Sequence, residues 1–490
     1  MKNSSILAVL LPALGAAQAP LAIDPGFQLL SPSLLQLMEQ HPENYQVRDI
    51  VLRPDGNYLI TGYAIFPMEP LSASPGGCAL IINPQGERVP SAFEGNAGRG
   101  RITELPNGQY FIHLNRFNHD GTQDLSFYTG WNGVSGTDYD YHVNADGTVL
   151  SAGDFLLPGS GRHGLIRYDS TGRLDSTFTH RRCPGPVFHL HPLRNGQFLI
   201  SGPMGSFDGH PTGCVARIHP DGALDTTFSF PYASSSAGAM HELPDGRYLL
   251  GGLFHNSHIG APDTLHLVRV LRDGSLDPSF NHRTVYRKPE NRINPALTGV
   301  EVLGAIDEGR FLVGGGFTRV DGHVRVGVAC VDTSGNLLHD CWASEGLRPT
   351  HYTAGNFPRF GLGNYKRLAD GSHWIMGQYK GIVDDVGAYP EQVVLSRLRP
   401  LEVGMEERRE GEPHLEVWPN PGSGGFTVGW DVVRHGPAQL ELRDARGRLV
   451  RTVQVTSSSF TVETTDLPAG LYLLRLTHAQ GVHASKWVKE

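Results

Sequence analysis

Cysteine is scarce in this chain, with five in 490 residues, at positions 78, 183, 214, 330 and 341. None stands in a C-x-x-C pair, which removes the usual framework of a structural zinc site. Charge is sparse as well: charged residues make up 18% of the chain, the formal net charge is −8, and no basic cluster is present. A surface able to track a phosphate backbone is therefore absent, and nucleic acid is excluded as a partner. After the first residues, no apolar run is long enough to cross a bilayer, so no transmembrane segment is expected. Catalytic and cofactor signatures are missing too. There is no G-x-S-x-G elbow, no Walker loop and no H-E-x-x-H, so no cofactor and no catalytic residue is assigned.

Glycine (61) and proline (34) are plentiful and dispersed, which suits many short strands joined by turns. Residues 1–19, "MKNSSILAVLLPALGAAQA", carry Lys2, an apolar run from Ile6 to Leu14 and an A-x-A ending at Ala19. That is the pattern of a cleaved secretory signal, and it places the mature chain in a compartment that permits disulfides. With five cysteines at least one stays unpaired. Cys330 and Cys341 flank a hairpin turn at Ser334-Gly335 and are the favoured pair, with Cys183–Cys214 second.

A tight turn followed by a short apolar strand recurs at Gly56, Gly108, Gly147, Gly196, Gly246, Gly309 and Gly371. Asp-Gly or Asn-Gly turns with such flanks mark hairpins. A second hairpin follows most of them, with turns at Gly86, Gly121, Gly172, Gly222, Gly274 and Gly335. Two hairpins per unit give four strands, and a series of such units predicts a β-propeller, with a solenoid as the alternative. The run "LLGGLFHNSHIGAPDTLHLVRVLRDGSLDPSF" (Leu249 to Phe280) carries the unit most fully. It resembles the delta-60 repeat of bacterial secreted proteins, and the resemblance extends over residues 20–400. It implies a propeller-like ring and does not imply a catalytic activity.

Four units place Arg five residues before the second-turn glycine and Asp three after it. The pairs are Arg116 with Asp124, Arg167 with Asp175, Arg217 with Asp225, and Arg269 with Asp277. They are expected to face each other across the hairpin as structural ion pairs. Such a pair contributes about 0.2–1 kcal/mol if exposed and matters more if buried. Two units carry uncharged residues at both places, Ile81 with Val89 and Cys330 with Leu338. The unit begun at Gly371 stops short: Arg397 is present but no L-D-x-x-F follows. The missing phrase stands near the N-terminus as "AIDPGF" (Ala22 to Phe27). We expect it to pair with Val393 to Leu398, to bring Asp24 to Arg397, and so to close the ring.

Ligand contact is expected on the face carrying the longer loops. The candidates are Trp131, Asp138, Tyr139, Asp140, Trp342, Tyr352 and Phe357, aromatic and acidic residues in glycine-rich stretches suited to a glycan or a protein. "SPSLLQLME" (Ser31 to Glu39) reads as a short helix on that face. His189 and His191 share one side of a strand but need a third ligand to hold a metal, so no metal site is assigned. Asp138 with Asp140, or Asp384 with Asp385, offer paired carboxylates of the kind glycoside hydrolysis uses.

After Pro400 the texture changes. Residues 401–414 are charged and read as a linker, and residues 415–490 as short strands of a small immunoglobulin-like β-sandwich. The Pro419-Asn420-Pro421 opening, Gly425-Phe426, Asp444 with Gly447-Arg448, Leu467-Pro468-Ala469-Gly470-Leu471-Tyr472 and Lys486 resemble the type A C-terminal sorting domain of the type IX secretion system. The resemblance implies a Bacteroidetes-type cell, passage across the outer membrane and the secretion machinery as partner. The expectation is thus an all-β protein, a seven-bladed propeller closed by its N-terminal strand and followed by the sandwich. It is exported to the medium or the outer cell surface as a binding or adhesion module. A hydrolase on a propeller scaffold and a purely structural surface protein are the alternatives.

Overall fold

The structure, a computed structural model, describes residues 21–29, 46–63, 77–93, 100–128, 130, 134–157, 159–233, 236–256, 264–284, 286–287, 299–339, 341, 344–348, 361–384, 388–400, 415–429, 436–444, 448–457, 459–478 and 481–490. The segments expected as a signal (1–19), a helix (Ser31–Glu39) and a linker (401–414) lie outside them. Every regular element among the described residues is a strand. Leu21–Pro400 form one compact unit, and the described residues beyond Leu401 belong to another.

The first unit is a succession of antiparallel meanders, each named here by its tight-turn glycine. The Gly56 sheet runs Gln46–Leu52, Tyr58–Tyr63, Gly77–Ile82 and Arg88–Val89. The Gly147 sheet runs Ser135–Val143, Val149–Leu157, Gly161–Tyr168 and Arg181–Arg182. The Gly309 sheet runs Val300–Ala305, Arg310–Gly315, Val328–Asp332 and Leu337–Leu338. The Gly108, Gly196 and Gly246 sheets begin with Ile102–Glu104, His189–Pro192 and Ala237–Glu242. In these, a lone bridge ties on the chain after the second turn: Gln123 to Phe117, Leu224 to Ile218 and Leu276 to Val270. The Gly371 sheet runs Gly361–Arg367, His373–Asp384 and Ala388–Pro400, with Leu21–Ile23 as its outer strand. The tight turns form for a local reason. Gly56 takes the left-handed conformation (φ 80°), and Asp55 Oδ1 accepts the Asn57 N–H at 3.0 Å.

Each sheet is buried on both faces by its neighbours. One cluster joins Leu59 and Ile81 of the Gly56 sheet to Tyr110 and Ile112 of the Gly108 sheet. Others join Gly108 to Gly147, Gly147 to Gly196, Gly196 to Gly246, Gly246 to Gly309, and Gly309 to Gly371. A further cluster packs Trp374, Met376 and Leu395 of the Gly371 sheet on Ile50, Tyr58 and Ile82 of the Gly56 sheet, with Phe27 among them. Two-sided burial explains why the second strands read as unbroken apolar runs, such as Tyr248–Phe254, rather than alternating.

The Arg and Asp positions form a latch with more members than their spacing reveals. Arg269 Nε donates to Asp277 Oδ2 at 2.8 Å, and Nη2 donates to Ser279 Oγ at 2.8 Å. Asp277 Oδ1 accepts the Ser279 N–H at 2.9 Å. The guanidinium lies over the Phe280 ring, 5.1 Å from its centroid, a cation–π arrangement. Its Nη1 donates to the Thr333 carbonyl of the next sheet. Arg217, Arg167 and Arg116 repeat the Asp contact at 2.8, 2.7 and 2.8 Å, with Thr227, Thr177 and Ser126 as the hydroxyl partners. Arg269 and Asp277 are each only 5% exposed in their side chains, so this is a buried pair. Losing one partner then costs about 3–5 kcal/mol, because the other charge stays buried. Burial alone would raise the Asp277 carboxyl. Hydrogen bonds from Ser279, Arg247 and Arg269 outweigh it and hold the group well below the usual carboxylate range.

Residues 21–27 take the same form. Arg397 Nε donates to Asp24 Oδ2 at 2.7 Å, Asp24 N–H donates to the Arg397 carbonyl at 2.9 Å, and the guanidinium lies 5.6 Å from the Phe27 centroid. Gly26 stands where the other copies have a hydroxyl. The register differs from the expectation, since Leu21, Ala22 and Ile23 pair with Pro400, Arg399 and Leu398. Pairing with Val393 to Leu398 as a whole is ruled out because Asp24 reaches Arg397 at the end of the strand, and the chain then turns away through Phe27.

Cys330 and Cys341 are disulfide-bonded, with their Cα atoms 6.0 Å apart. The expected Cys183–Cys214 bridge is corrected: both are free and buried. Each belongs to a different apolar cluster, Cys183 between the Gly147 and Gly196 sheets and Cys214 between the Gly196 and Gly246 sheets.

The described residues of the second unit form two sheets. Glu416–Trp418, Gly425–Gly429 and Ser459–Glu463 form one, and Leu449–Val455, Ala438–Asp444, Gly470–His478 and Gly481–Lys489 the other. Phe426, Leu440, Leu474 and Trp487 lie in a shared core. Tyr472 Oη donates to the Pro468 carbonyl at 2.7 Å, and Trp487 Nε1 to the Pro419 carbonyl at 2.9 Å. These bonds tie the Leu467–Tyr472 and Pro419–Pro421 motifs to the sheets.

Candidate functional site

The first strands of the meanders in the Leu21–Pro400 unit line a cavity of about 1030 Å³. Aligned on the tight-turn glycine, the residue seven positions upstream is Asp49, Arg101, Asp140, His189, Ala239, Val302 and Asn364 in successive units. The polar members tie one unit to the next. Asp49 Oδ2 accepts the Ile102 N–H at 2.7 Å, and Asp140 Oδ2 accepts the Leu190 N–H at 2.9 Å. Asn364 Nδ2 donates to the Arg48 carbonyl at 3.1 Å, and Lys366 Nζ to Asp49 Oδ1 at 2.9 Å. Tyr141 Oη donates to the Arg101 carbonyl at 2.6 Å, and Thr61 Oγ1 to the Gly100 carbonyl at 2.6 Å. The otherwise open edges of these strands are thus engaged by side chains of neighbouring units.

One position further upstream, the first strands carry a bulge. Pairing passes from Val47 to Asp49, Asp138 to Asp140, Ala237 to Ala239, Val300 to Val302 and Leu362 to Asn364, while the partner strand advances by one residue. The extra residues are Arg48, Tyr139, Gly238, Glu301 and Gly363, and all five line the cavity. A bulge re-aims its side chain. Here it turns that position toward the cavity while Val47, Ala237, Val300 and Leu362 beside it stay buried. Tyr139 is 49% exposed, and its ring is braced edge-on by Phe188 at a centroid separation of 5.0 Å. At Gly238 an added Cβ would stand 3.3 Å from Glu301 Cα, so the glycine leaves room for that residue.

Of the residues expected from sequence, Asp138, Tyr139 and Asp140 meet at this cavity. They do so from a strand and not from a loop as expected: Ser135–Val143 pairs along Val149–Leu156. Trp131, Trp342, Tyr352 and Phe357 lie outside the described residues. The two acids are engaged, Asp138 with His113 at 3.5 Å and Asp140 with Arg101 at 3.5 Å. His189 and His191 both line the cavity. Burial lowers both imidazoles, and His241 and Arg101 push His191 further, to about 4. Each is therefore a neutral hydrogen-bonding group at neutral pH. Among the described residues no group of three or more His, Cys, Asp or Glu is placed to hold a metal ion. Sequence reasoning missed Arg48 and Glu301. The signal was available, because the position eight residues before each tight-turn glycine reads Arg, Gly, Tyr, Phe, Gly, Glu, Gly while the turns themselves repeat.

Residues 416–490 match the secretion system C-terminal sorting domain. Residues 145–178, 195–228 and 243–280 match the domain of unknown function (DUF5122) beta-propeller. These ranges each hold a latch pair. The chain thus carries a type IX sorting tail, which directs export to the cell surface, and β-propeller repeats of the delta-60 type. No curated protein matches it. Among solved structures, the chain is similar to an extracellular domain assigned to a hybrid two-component system of B. thetaiotaomicron, at 11% identity and TM-score 0.40, covering 91% of this chain and 57% of that one. PorZ, a surface component of the type IX secretion system of Porphyromonas gingivalis, is similar at 11% identity and TM-score 0.33, covering 89% and 64%. A Trypanosoma rangeli sialidase is similar at 9% identity and TM-score 0.27, covering 90% and 83%. The chain spans less than two thirds of the first two proteins' lengths.

Proposed function

We propose that residues 20–400 form a seven-bladed β-propeller closed by the N-terminal strand, and that it serves as a binding module at the cell surface. Residues 1–19 are its export signal, 401–414 a linker and 415–490 an immunoglobulin-like sorting domain that engages the type IX machinery. The reading of closure is supported by the packing of Trp374 and Leu395 on Ile50 and Tyr58, with Phe27 between. The reading of binding rests on one observation. A cavity of about 1030 Å³ is lined by side chains whose identity changes from unit to unit while the rest of the unit repeats. Ligand pockets of comparable size with a few convergent polar groups are common sites of recognition.

The test is a binding screen with the full exported chain against glycans and peptides, read by calorimetry. Saturable binding of one class without turnover is expected. Release of new reducing ends or new amino termini would overturn the binding reading in favour of a hydrolase. No binding in either panel would leave a structural surface protein.

A further inference from the structure

We propose that the Cys330–Cys341 disulfide is a redox-sensitive clasp on the N-terminal segment. Oxidised, it holds residues 21–28 across the joint between the first and last units, and its reduction lets that segment go. The inference rests on the reading that this segment closes the propeller, and adds what fastens it and what releases it.

Elsewhere in the first unit of the structure a guanidinium crosses from one repeat to the next. Arg116, Arg217 and Arg269 donate Nη1 to the Ser170, Arg272 and Thr333 carbonyls. The Gly56 repeat has no arginine at the latch position, and there Arg53 Nη1 donates to the His119 carbonyl at 3.2 Å. The Gly309 repeat carries Cys330 at the latch-arginine position. Its sulfur is bonded to Cys341, whose carbonyl accepts the Leu21 N–H at 2.8 Å. Leu21–Ile23 is the outer strand of the following sheet. The disulfide therefore stands where the neighbouring repeats use a charged side chain.

Leu21–Ile23 has only three residues, and a terminal segment that short frays unless it is tied down. Its ties lie on both sides. It pairs with Pro400, Arg399 and Leu398 along one edge and meets the Cys341 carbonyl on the other. Further on, Gln392 Nε2 donates to the Phe27 carbonyl at 2.6 Å, and Gln28 N–H donates to the Gln85 carbonyl of the Gly56 repeat at 3.1 Å. The disulfide spans 11 positions and fixes Cys341 against Val328–Asp332. Without it, ordering that acceptor costs backbone entropy. Protection runs the other way as well. Leu21, Ile23, Leu398, Cys330 and Cys341 share one apolar cluster, and both cysteines are buried. A reductant has to wait for the cluster to open, and the N-terminal segment is one wall of it. Reduction then proceeds by exchange. One thiolate of a dithiol reductant bonds to a cysteine sulfur as the Cys330–Cys341 bond breaks, and its second thiolate displaces that sulfur. Two electrons pass to the protein, and both cysteine thiolates take protons from water. Because such coupling is reciprocal, loosening the segment exposes the disulfide.

The test is hydrogen–deuterium exchange of the full chain beside the Cys330→Ala, Cys341→Ala double variant. The oxidised chain is expected to protect the amides of residues 21–28. The double variant is expected to exchange them about tenfold or more faster, while residues 265–280 change less than about twofold. Should that variant fail to fold, a second measurement decides: the rate at which dithiothreitol opens Cys330–Cys341, read by alkylation and mass spectrometry. Asp24→Ala is expected to raise that rate about tenfold or more. Asp124→Ala removes a latch carboxylate of equal exposure from the Gly108 repeat, and is expected to change the rate less than about twofold. Free exchange of residues 21–28 in the oxidised chain would overturn the closure reading and the clasp with it. Equal protection in the oxidised chain and the double variant would overturn the clasp and leave closure standing. A reduction rate that Asp24→Ala does not raise would do the same.

Discussion

At the scale of single residues, burial decides protonation. His191 is held at about 4 by burial and the nearby His241 and Arg101. His373, only 4% exposed and bonded to Tyr365, is held at about 4 by burial with Arg367 and Arg310. Both fold neutral. An unfolded chain takes up protons at histidine below about pH 6.5, protons that the folded state refuses until about pH 4. Stability therefore falls as pH drops from about 6.5 to 4. The latch carboxylates run on a separate window. Burial raises Asp225, but bonds from Thr227, Gln197 and Arg217 hold it well below its ordinary value. Its contribution is present above about pH 3.9 and is lost as pH falls further. Thermal melting against pH is thus expected to decline in two limbs. His373→Gln should flatten the upper limb only, and Asp225→Asn the lower only. A profile flat down to pH 4 contradicts the histidine assignment.

At the scale of elements, the second-turn glycines differ from the tight-turn glycines. Gly56 and Gly172 both take positive φ, but Gly56 has nothing within 4 Å of an added Cβ. At Gly172 that Cβ would lie 2.7 Å from the backbone of Tyr128 in the preceding unit, and at Gly86 2.3 Å from the Gln28 carbonyl oxygen. Gly56→Ala is expected to cost about 1 kcal/mol from backbone strain alone. Gly172→Ala should cost about 1–3 kcal/mol more, because two units must move apart. Urea unfolding midpoints measure the difference, and equal midpoints contradict it. The turns themselves were legible in the sequence because Asp-Gly chemistry is local. The latch was half legible. Arg269 and Asp277 stand out by spacing and charge, whereas Ser279 and Thr227 hide among ordinary turn residues. The strand Ser135–Val143 was not legible. Its glycines and acids read as loop, and its strand character comes from pairing along Val149–Leu156. The bulges escaped for a related reason, since one inserted residue breaks the alternation by which a strand face is read.

At the scale of the whole molecule, the repeated latch residues hold neighbouring units together, while the residues that face the cavity vary from unit to unit, some of them also bonding across to the next unit. The N-terminal segment belongs to the first class. Asp24, Arg397 and Phe27 reproduce the latch of the interior units although 373 positions separate the pair in sequence. A double-mutant cycle on Asp24→Ala and Arg397→Ala is expected to show a coupling of about 1–3 kcal/mol, and additive effects would detach the segment from the fold. This long-range contact was legible because the truncated unit lacks the phrase that the N-terminus supplies. Its register was not, since nothing local fixes how far three residues slide along Ala388–Pro400. The division into latch residues and cavity-facing residues is tested most directly by thermal unfolding of Asp277→Ala beside Glu301→Ala. The first strands the buried Arg269 without its carboxylate and leaves Arg247 only Asp245, and is expected to lower the melting temperature by roughly 5 °C. The second removes an exposed side chain and is expected to leave the melting temperature within about 1 °C. A melting temperature lowered by Glu301→Ala and unmoved by Asp277→Ala would contradict the account.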